Sequence, residues 1–194
     1  MAQLLVDVTP FKSVLRESKE RPGVYEVEGV MQRAVAENQN GRVYSKAILE
    51  REASKYTKEF VERGNAFGEL DHPESSVVNL QNVSHNVKEM HWEGDNLLGT
   101  VEVLGTPSGN ILKELFKNGI KLGISSRGLG SVEMVQEANG DQVSKVGDDF
   151  ELIAFDFVSN PSTHGAFMRP VNEGVEKQKP ESKIESIINS IMRG

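Results

Sequence analysis

The spacing of apolar and polar side chains in the first third of the chain predicts one strand followed by one helix. Over residues 24–31, hydrophobic side chains alternate with acidic ones, which is the pattern of a half-buried strand. After Ser45, a residue type suited to the N-cap, apolar residues recur at helical spacing until Gly64 offers a C-terminal stop. A helix is therefore expected over residues 45–63.

The next stretch predicts a hairpin and a second helix. Residues 83–92 and 96–104 flank a short turn that contains glycine, so they are expected to pair as antiparallel strands. Pro107 suits the first turn of a helix, and Gly119 would end that helix. The predicted helix has an apolar stripe that consists of Ile111, Leu112, Leu115 and Phe116.

A second hairpin and a long apolar strand are predicted further on. The pair Asn139-Gly140 favours a tight turn between strands over residues 131–136 and 142–146. Residues 150–158 then form a nearly continuous apolar run, whose two faces both look buried.

The polarity of the chain ends predicts the domain organisation. Residues 1–21 are expected to be an exposed N-terminal segment, and residues 22–171 one folded domain. Residues 172–194 are expected to be a polar linker and an amphipathic helix, which could dock on its own domain or on a partner. The apolar stripe of that helix consists of Ile184, Ile187, Ile188, Ile191 and Met192.

Composition narrows the class of protein. Of 194 residues, 37% are hydrophobic and 26% charged, and no apolar run is long enough to span a bilayer, so a soluble globular protein is expected. The net charge of −7 argues against non-specific binding of nucleic acid. The absence of cysteine excludes disulfides, thiolate catalysis and cysteine-based zinc sites. The N-terminus lacks a signal-peptide pattern, so a cytoplasmic location is expected.

The stretch over residues 121–131 contains the candidate nucleophiles, Ser125 and Ser126. Its three glycines would allow a sharp turn at a strand end, where free backbone amides could bind an oxyanion. The stretch lacks the G-x-S-x-G pattern of α/β-hydrolases. Because serine- and glycine-rich segments are more often loops, the stretch alone does not establish an active site.

A histidine and an aspartate could complete a catalytic triad with one of these serines. The proline after His72 favours an extended segment or turn, where the imidazole could act as general base. Asp156 interrupts the apolar strand and needs a partner, which a histidine could provide. The structural alternatives for Asp156 are a pair with Arg127 or Arg169, or a cap on the turn at residues 160–162.

A metal site is the weaker hypothesis for the histidines. Asp71, His72, His85 and His91 carry side chains that can bind metal. His85 and His91 are expected to share one face of a strand, and their separation fits no tight ligand set. The sequence therefore predicts neither a metal nor a cofactor.

Three stretches together resemble the prohead core proteases of T-even-type tailed phages. They are residues 68–73 (Gly-Glu-Leu-Asp-His-Pro), 123–131 (Gly-Ile-Ser-Ser-Arg-Gly-Leu-Gly-Ser) and 155–158 (Phe-Asp-Phe-Val), the last followed by Pro161-Ser162. The similarity runs from about Gly23 to about Pro170. It implies an α+β domain built on an antiparallel β-barrel flanked by helices, similar to herpesvirus assemblin.

The resemblance also implies an activity and its residues. It implies a serine endopeptidase with His72, Ser125 and Asp156 as the triad. Ser126 is the alternative nucleophile, because distant relatives use a Ser-x-Gly pattern. His164 is the alternative third member, because assemblin-type enzymes use a histidine there. The backbone amides of Ser126, Arg127 and Gly128 and the Arg127 side chain are expected to stabilise the oxyanion.

Substrates and location follow from the same resemblance. The expected substrates are phage scaffold or core proteins and the major capsid protein, cleaved inside the prohead in the host cytoplasm. No membrane or nucleic-acid partner is expected, and a homo-oligomer in the prohead core is left open. The alternative is a catalytically silent core protein that binds scaffold.

Cleavage specificity points to a site within the chain itself. Proteases of this kind favour cleavage after glutamate with Leu or Ile two residues earlier, a pattern that ends here at Glu17, Glu50 and Glu114. The last two lie in predicted helices, which a protease cannot bind in extended form. Self-cleavage is therefore expected after Glu17. The sequence does not identify the basic residue that would bind the substrate glutamate.

Overall fold

A computed structural model describes residues 2–11, 15–19, 21–136, 140 and 142–159. Several sequence predictions concern residues outside these ranges. They include the role of Asn139 in the second hairpin, the alternatives His164 and Arg169, and the linker and helix over 172–194. The boundary at residue 171 also lies outside the described residues, so the domain division stays a prediction.

The described residues form mostly β-structure with two α-helices. The strands are β1 (Gln3–Phe11), β2 (Arg16–Glu17), β3 (Tyr25–Arg33), β4 (Arg42–Val43), β5 (Phe67–Glu69), β6 (Val83–Glu93), β7 (Asn96–Val103), β8 (Leu122–Gly130), β9 (Val132–Gln136), β10 (Gln142–Val146) and β11 (Glu151–Val158). The helices are α1 (Lys46–Tyr56) and α2 (Pro107–Lys117), and a π-helical turn over Thr57–Val61 extends α1. No helix in these ranges is long and apolar enough to span a bilayer.

The strands form three sheets. Their orders are β1-β8-β11, β4-β10-β9 and β2-β3-β7-β6-β5. A parallel bridge between Leu70 and Phe157 connects the end of β5 to β11, and thus the third sheet to the first. Within the described ranges the sheets do not close into a barrel, so the barrel implied by the resemblance is not found there.

Both helices predicted in the first two thirds of the chain are confirmed, because local signals specify their ends. The Ser45 side chain accepts a hydrogen bond from the Ile48 amide at 3.2 Å, which caps α1. Gly64 has a φ of +72°, a conformation that glycine adopts at low cost after a helix. Thr106 caps α2 before Pro107 in the same way.

The four predicted strand regions outside the serine stretch are also confirmed. The strand expected over 24–31 is β3, and the first hairpin is β6 and β7. In the second hairpin, β9 and β10 pair antiparallel. The apolar run after residue 150 is β11, whose Phe155 and Phe157 are buried in the main core.

The N-terminal segment differs from the prediction. Residues 1–21 were expected to be exposed, but β1 pairs antiparallel with β8 along its whole length. Leu5 and Phe11 of β1 are buried. The prediction was wrong for this strand because its pairing partner lies more than a hundred residues away, as the Ser126–Asp7 contact at a separation of 119 illustrates, and no local pattern reports such a contact.

The serine stretch also differs from the prediction of a turn at a strand end. Residues 122–130 form one strand that lies between β1 and β11. Its glycines do not have positive φ. Gly128 is instead required for packing, because an added Cβ would lie 2.4 Å from Cε2 of Phe150 and 2.6 Å from the Glu151 carbonyl oxygen.

Candidate active site

Ser125 lies in the middle of β8, the central strand of its sheet. It pairs with Val8 of β1 on one side and with Asp156 of β11 on the other. Residues directly opposite in an antiparallel pair project to the same face, so Ser125 and Asp156 share one face of the sheet. Ser125 is fully buried, and its Oγ makes no hydrogen bond within the described part of the chain.

Ser126 points to the opposite face, as alternation along a strand requires. Its Oγ accepts a hydrogen bond from Nε2 of Gln32 at 2.9 Å and donates to the Asp7 carbonyl oxygen at 3.5 Å. Gln32 belongs to β3, so Ser126 connects the first sheet to the third. The Ser126 hydroxyl is therefore buried with its hydrogen bonds satisfied.

A buried carboxylate that the sequence did not single out lies beside Ser126. Asp7 of β1 is 1% exposed and accepts hydrogen bonds from Arg42 at 2.8 Å, from Asn40 at 2.7 Å and from the Tyr44 hydroxyl. Burial and the Asp7 charge raise the pKa of Tyr44 above its ordinary value. The sequence marks Asp7 only as an acidic residue next to an apolar run. Its partners Asn40, Arg42 and Tyr44 lie at and beside β4, far from it in the chain.

Arg127 lies on the same face as Ser125 and is fully buried. It makes five hydrogen bonds, and a guanidinium has five N–H donors. Nε and Nη2 donate to Asp156 at 2.8 and 3.1 Å, and Nη2 also donates to Glu69 at 3.1 Å. Nη1 donates to the carbonyl oxygens of Ser75, at 2.7 Å, and Val77, at 3.5 Å. In this structure the Arg127 side chain therefore has no donor left for an oxyanion.

Asp156 makes the structural pair that the sequence left open. Its Oδ2 accepts from Arg127, and its Oδ1 accepts from Arg127 and from the Glu69 amide at 3.0 Å. Burial raises the pKa of Asp156 above its ordinary value, and the Arg127 charge opposes that shift. No hydrogen bond joins Asp156 to His72 in the described ranges, so the structure assembles the expected triad only in part.

His72 lies in the loop over residues 71–82, which connects β5 to β6. The loop begins at Asp71, whose φ is +66° and whose amide donates to the Phe157 carbonyl oxygen at 2.7 Å. His72 has neither helical nor strand conformation, as the proline after it predicted. Its side chain is half-buried, and its Nδ1 is buried without a partner among the described residues.

The backbone amides expected to form the oxyanion site lie in the sheet. Ser126, Arg127 and Gly128 are flanked on both sides by β1 and β11, whose ladders use the amides of a central strand. A β-bulge between Leu152 and Ala154 lies opposite Arg127 and Gly128 and interrupts this pairing. The extra residue of the bulge is Ile153 of β11, next to the partners of Arg127 and Gly128.

The two strand histidines do not lie together. A bulge between Val87 and Glu89 shifts the register of β6, so His85 is buried whereas the side chain of His91 is 41% exposed. The expectation that they share a face is therefore wrong. His85 contacts Oγ of Ser84 at 2.8 Å and the Phe155 carbonyl oxygen at 2.9 Å. Among the described residues, no three His, Asp or Glu side chains are arranged to hold a metal ion.

The chain is similar to known proteases in sequence and in fold. Residues 6–178 match the family model described as prohead core protein serine protease. The prohead core protein protease of Enterobacteria phage T4 is 33% identical over 165 residues, which is 84% of this chain and 75% of that protein. The solved structure of the bacteriophage T4 capsid assembly protease matches with a TM-score of 0.73 and 29% identity, covering 81% of this chain and 98% of that one. The residues matched by the family model include β5, β8 and β11.

Proposed function

The chain belongs to the family of prohead core protein serine proteases, and from that premise we propose that Ser125 is its nucleophile and His72 its general base. It is a protease of phage capsid assembly, as its relatives in sequence and structure are. The proposed substrates are the scaffold or core proteins and the major capsid protein, cleaved after glutamate inside the prohead. The chain itself is a further proposed substrate.

The observation that carries this proposal is the contrast between the two serine hydroxyls. Ser126 Oγ is held by Gln32, whereas Ser125 Oγ has no partner in the described ranges. A nucleophilic hydroxyl must be able to give its proton to a base, and a structural hydroxyl is normally paired. The free Ser125 Oγ supports Ser125 over Ser126.

His72 is the proposed base because its loop contacts a residue that shares a sheet face with Ser125. Arg127 shares that face with Ser125 and binds the loop at Ser75. During acylation, His72 would take the proton of Ser125 Oγ as that oxygen bonds to the substrate carbonyl carbon, and would then donate it to the leaving amine. Because Ser125 is fully buried, the chain that covers it must move before a peptide can bind.

The remaining site residues have proposed roles of two kinds. Asp156 is proposed to support the site through Arg127, since its two oxygens already accept hydrogen bonds there. The oxyanion site is proposed at the amides of residues 126–128, where the bulge in β11 interrupts the ladder. The barrel of the assemblin-type fold also stays a prediction.

Self-cleavage after Glu17 is proposed on the basis of exposure. Glu17 is exposed in the two-residue strand β2, whereas Glu50 and Glu114 lie in α1 and α2. Oε1 of Glu17 accepts a hydrogen bond from the Gly23 amide at 2.6 Å. β2 must leave β3 before the protease can bind it in extended form, and so short a strand can do so at little cost.

Mapping of cleavage sites tests the proposed function. Mass spectrometry would identify every new C-terminus in the proteins of two samples. One sample is proheads assembled with the wild-type chain, and the other is proheads assembled with the His72→Ala variant. The proposal expects new C-termini at glutamate in scaffold and capsid proteins, and none with His72→Ala. Unchanged processing with His72→Ala would refute the role of His72, and cleavage after other residues would refute the specificity.

A further inference from the structure

We propose that Glu69 is a positioning residue for His72, acting through a buried cluster of Glu69, Arg127 and Asp156 that we call the loop clasp. The clasp would fix the His72 loop against the strand that carries Ser125. The inference rests on the proposed function, because it assigns His72 as the base. Neither the sequence motifs nor the triad hypothesis assigned a role to Glu69.

The loop clasp joins three strands from two sheets. Glu69 ends β5, Arg127 lies in β8 and Asp156 lies in β11, and all three side chains are fully buried. Arg127 binds both carboxylates, with N···O distances of 2.8 Å to Asp156 and 3.1 Å to Glu69. Buried ion pairs of this kind are geometrically specific and costly to break.

The same cluster holds the His72 loop at several points. Arg127 Nη1 donates to the Ser75 carbonyl oxygen at 2.7 Å, and Glu69 Oε1 accepts from the Asn79 amide at 3.0 Å. The Asp71 amide donates to the carbonyl oxygen of Phe157 in β11. His72 therefore lies between fixed points, and Glu69 contributes directly to one of them.

The free atoms of the region point to the same role. Six buried side-chain polar atoms lack a partner among the described residues, and three of them are Glu69 Oε2, His72 Nδ1 and Ser125 Oγ. Buried polar atoms are normally paired, so three such atoms in one part of a site call for a functional explanation. Glu69 and His72 are three residues apart in the chain, and a carboxylate oxygen can accept the N–H of an imidazole.

The charge of the cluster would help the reaction. The formal charges of the two buried carboxylates and the guanidinium add up to −1. When His72 takes the proton of Ser125, it becomes a cation, which the negative charge of the loop clasp would stabilise. Glu69 would therefore act through His72, both by position and by charge.

The test compares two buried glutamates that differ in location. Glu69→Gln keeps the size of the side chain and removes its charge. Glu52→Gln is the matched control, because Glu52 is also buried and ion-paired, with Arg51, and accepts a hydrogen bond from the Leu152 amide at 3.1 Å. Both variants remove the charge of a buried, ion-paired glutamate, but only Glu69 belongs to the loop clasp.

Two measurements are expected to separate them. Glu69→Gln should lower kcat about 10- to 100-fold with KM changed less than about twofold, since an interaction needed in the transition state is lost. It should also speed amide hydrogen exchange over residues 71–82 by about tenfold or more. Glu52→Gln should keep kcat within about twofold and leave exchange in that loop unchanged.

Two outcomes would overturn the proposal. One is a Glu69→Gln variant with wild-type kcat, and the other is a loss of kcat without faster exchange over residues 71–82. Hydrogen exchange does not depend on catalysis. If Ser125→Ala were active, the proposed nucleophile would therefore fail, while the exchange data would still report whether the clasp holds the loop.

Discussion

Ser125 and Ser126 are consecutive residues of β8 whose hydroxyls lie on opposite faces of one sheet and in opposite chemical states. Ser126 Oγ is bound to Gln32 at 2.9 Å, whereas Ser125 Oγ has no partner in the described ranges. The difference arises from strand alternation alone, since one residue changes the face. The sequence left open which serine is the nucleophile, and this difference predicts opposite effects on stability and activity when each serine is replaced.

The two alanine variants are expected to differ in stability. Ser126→Ala leaves the buried Gln32 amide without its acceptor, so it should lower the free energy of unfolding by about 1–3 kcal/mol. Ser125→Ala removes an unpaired hydroxyl, so its stability should equal or exceed that of the wild type. Urea denaturation of both variants checks this, and a Ser125→Ala variant that is the less stable of the two would contradict it.

The stability of the protein is expected to fall in acid because of His85. The Phe155 carbonyl can only accept, so Nε2 of His85 carries a proton. Burial lowers the pKa of His85 from 6.5 to about 4. Below pH 6.5 the unfolded chain therefore binds a proton at His85 that the folded chain does not bind until about pH 4. The free energy of unfolding should fall by up to about 3 kcal/mol as the pH falls through that window.

Denaturation curves at several pH values between 7 and 4 test this expectation. His85→Gln should abolish the His85 share of the pH dependence. His91→Gln is the matched control from the same strand, because the His91 side chain is 41% exposed, and it should keep the wild-type dependence. A His85→Gln variant with the wild-type pH dependence would show that another group is responsible.

Gly128 is expected to tolerate no side chain. A Cβ there would lie 2.4 Å from Phe150 and 2.6 Å from the Glu151 carbonyl oxygen, so Gly128→Ala should destabilise the protein by about 1–3 kcal/mol or more. Gly105 is the control, since a Cβ there has nothing within 4 Å and its φ is not positive. Thermal unfolding should show a clear loss for Gly128→Ala and little change for Gly105→Ala; equal melting temperatures would contradict the packing argument.

A cut after Glu17 is expected to leave the N-terminal fragment bound. β1 pairs with β8 over nine residues from Gln3 to Phe11 and buries Leu5, so the sheet should hold it without a covalent link. Mass spectrometry should find residues 1–17 separated in denaturant but retained on native size exclusion. Release of the fragment under native conditions would show that β1 is not part of the stable sheet, and Glu17→Gln serves as the uncut control.

The sequence predicted elements with local signals and missed those that depend on distant contacts. Ser45, Gly64 and Pro107 mark helix ends through their own backbone preferences, so both helices were found. β1 and β8 pair across more than a hundred residues, a contact such as Ser126–Asp7 being separated by 119. No periodicity in either segment reports that pairing.

The candidate site shows the same division. Residue types alone made His72, Ser125 and Ser126 candidates, and the resemblance preferred Ser125. The need of a buried carboxylate for a partner was evident at Asp156. The choice of Arg127 as that partner, and the part of Glu69, depend on three strands meeting in space. Such a meeting is a property of the tertiary structure, so residue types alone left histidine and arginine equally open.

Ser125, and not Ser126, is the proposed nucleophile of this protein. The most direct test is coexpression of the wild type, Ser125→Ala and Ser126→Ala, each with the scaffold and capsid proteins, with processing followed by gel and mass spectrometry. Loss of the nucleophile lowers the rate by several orders of magnitude, so we expect no cleavage with Ser125→Ala and continued cleavage with Ser126→Ala. Continued cleavage with Ser125→Ala, or its loss only with Ser126→Ala while that variant remains folded, would contradict the account.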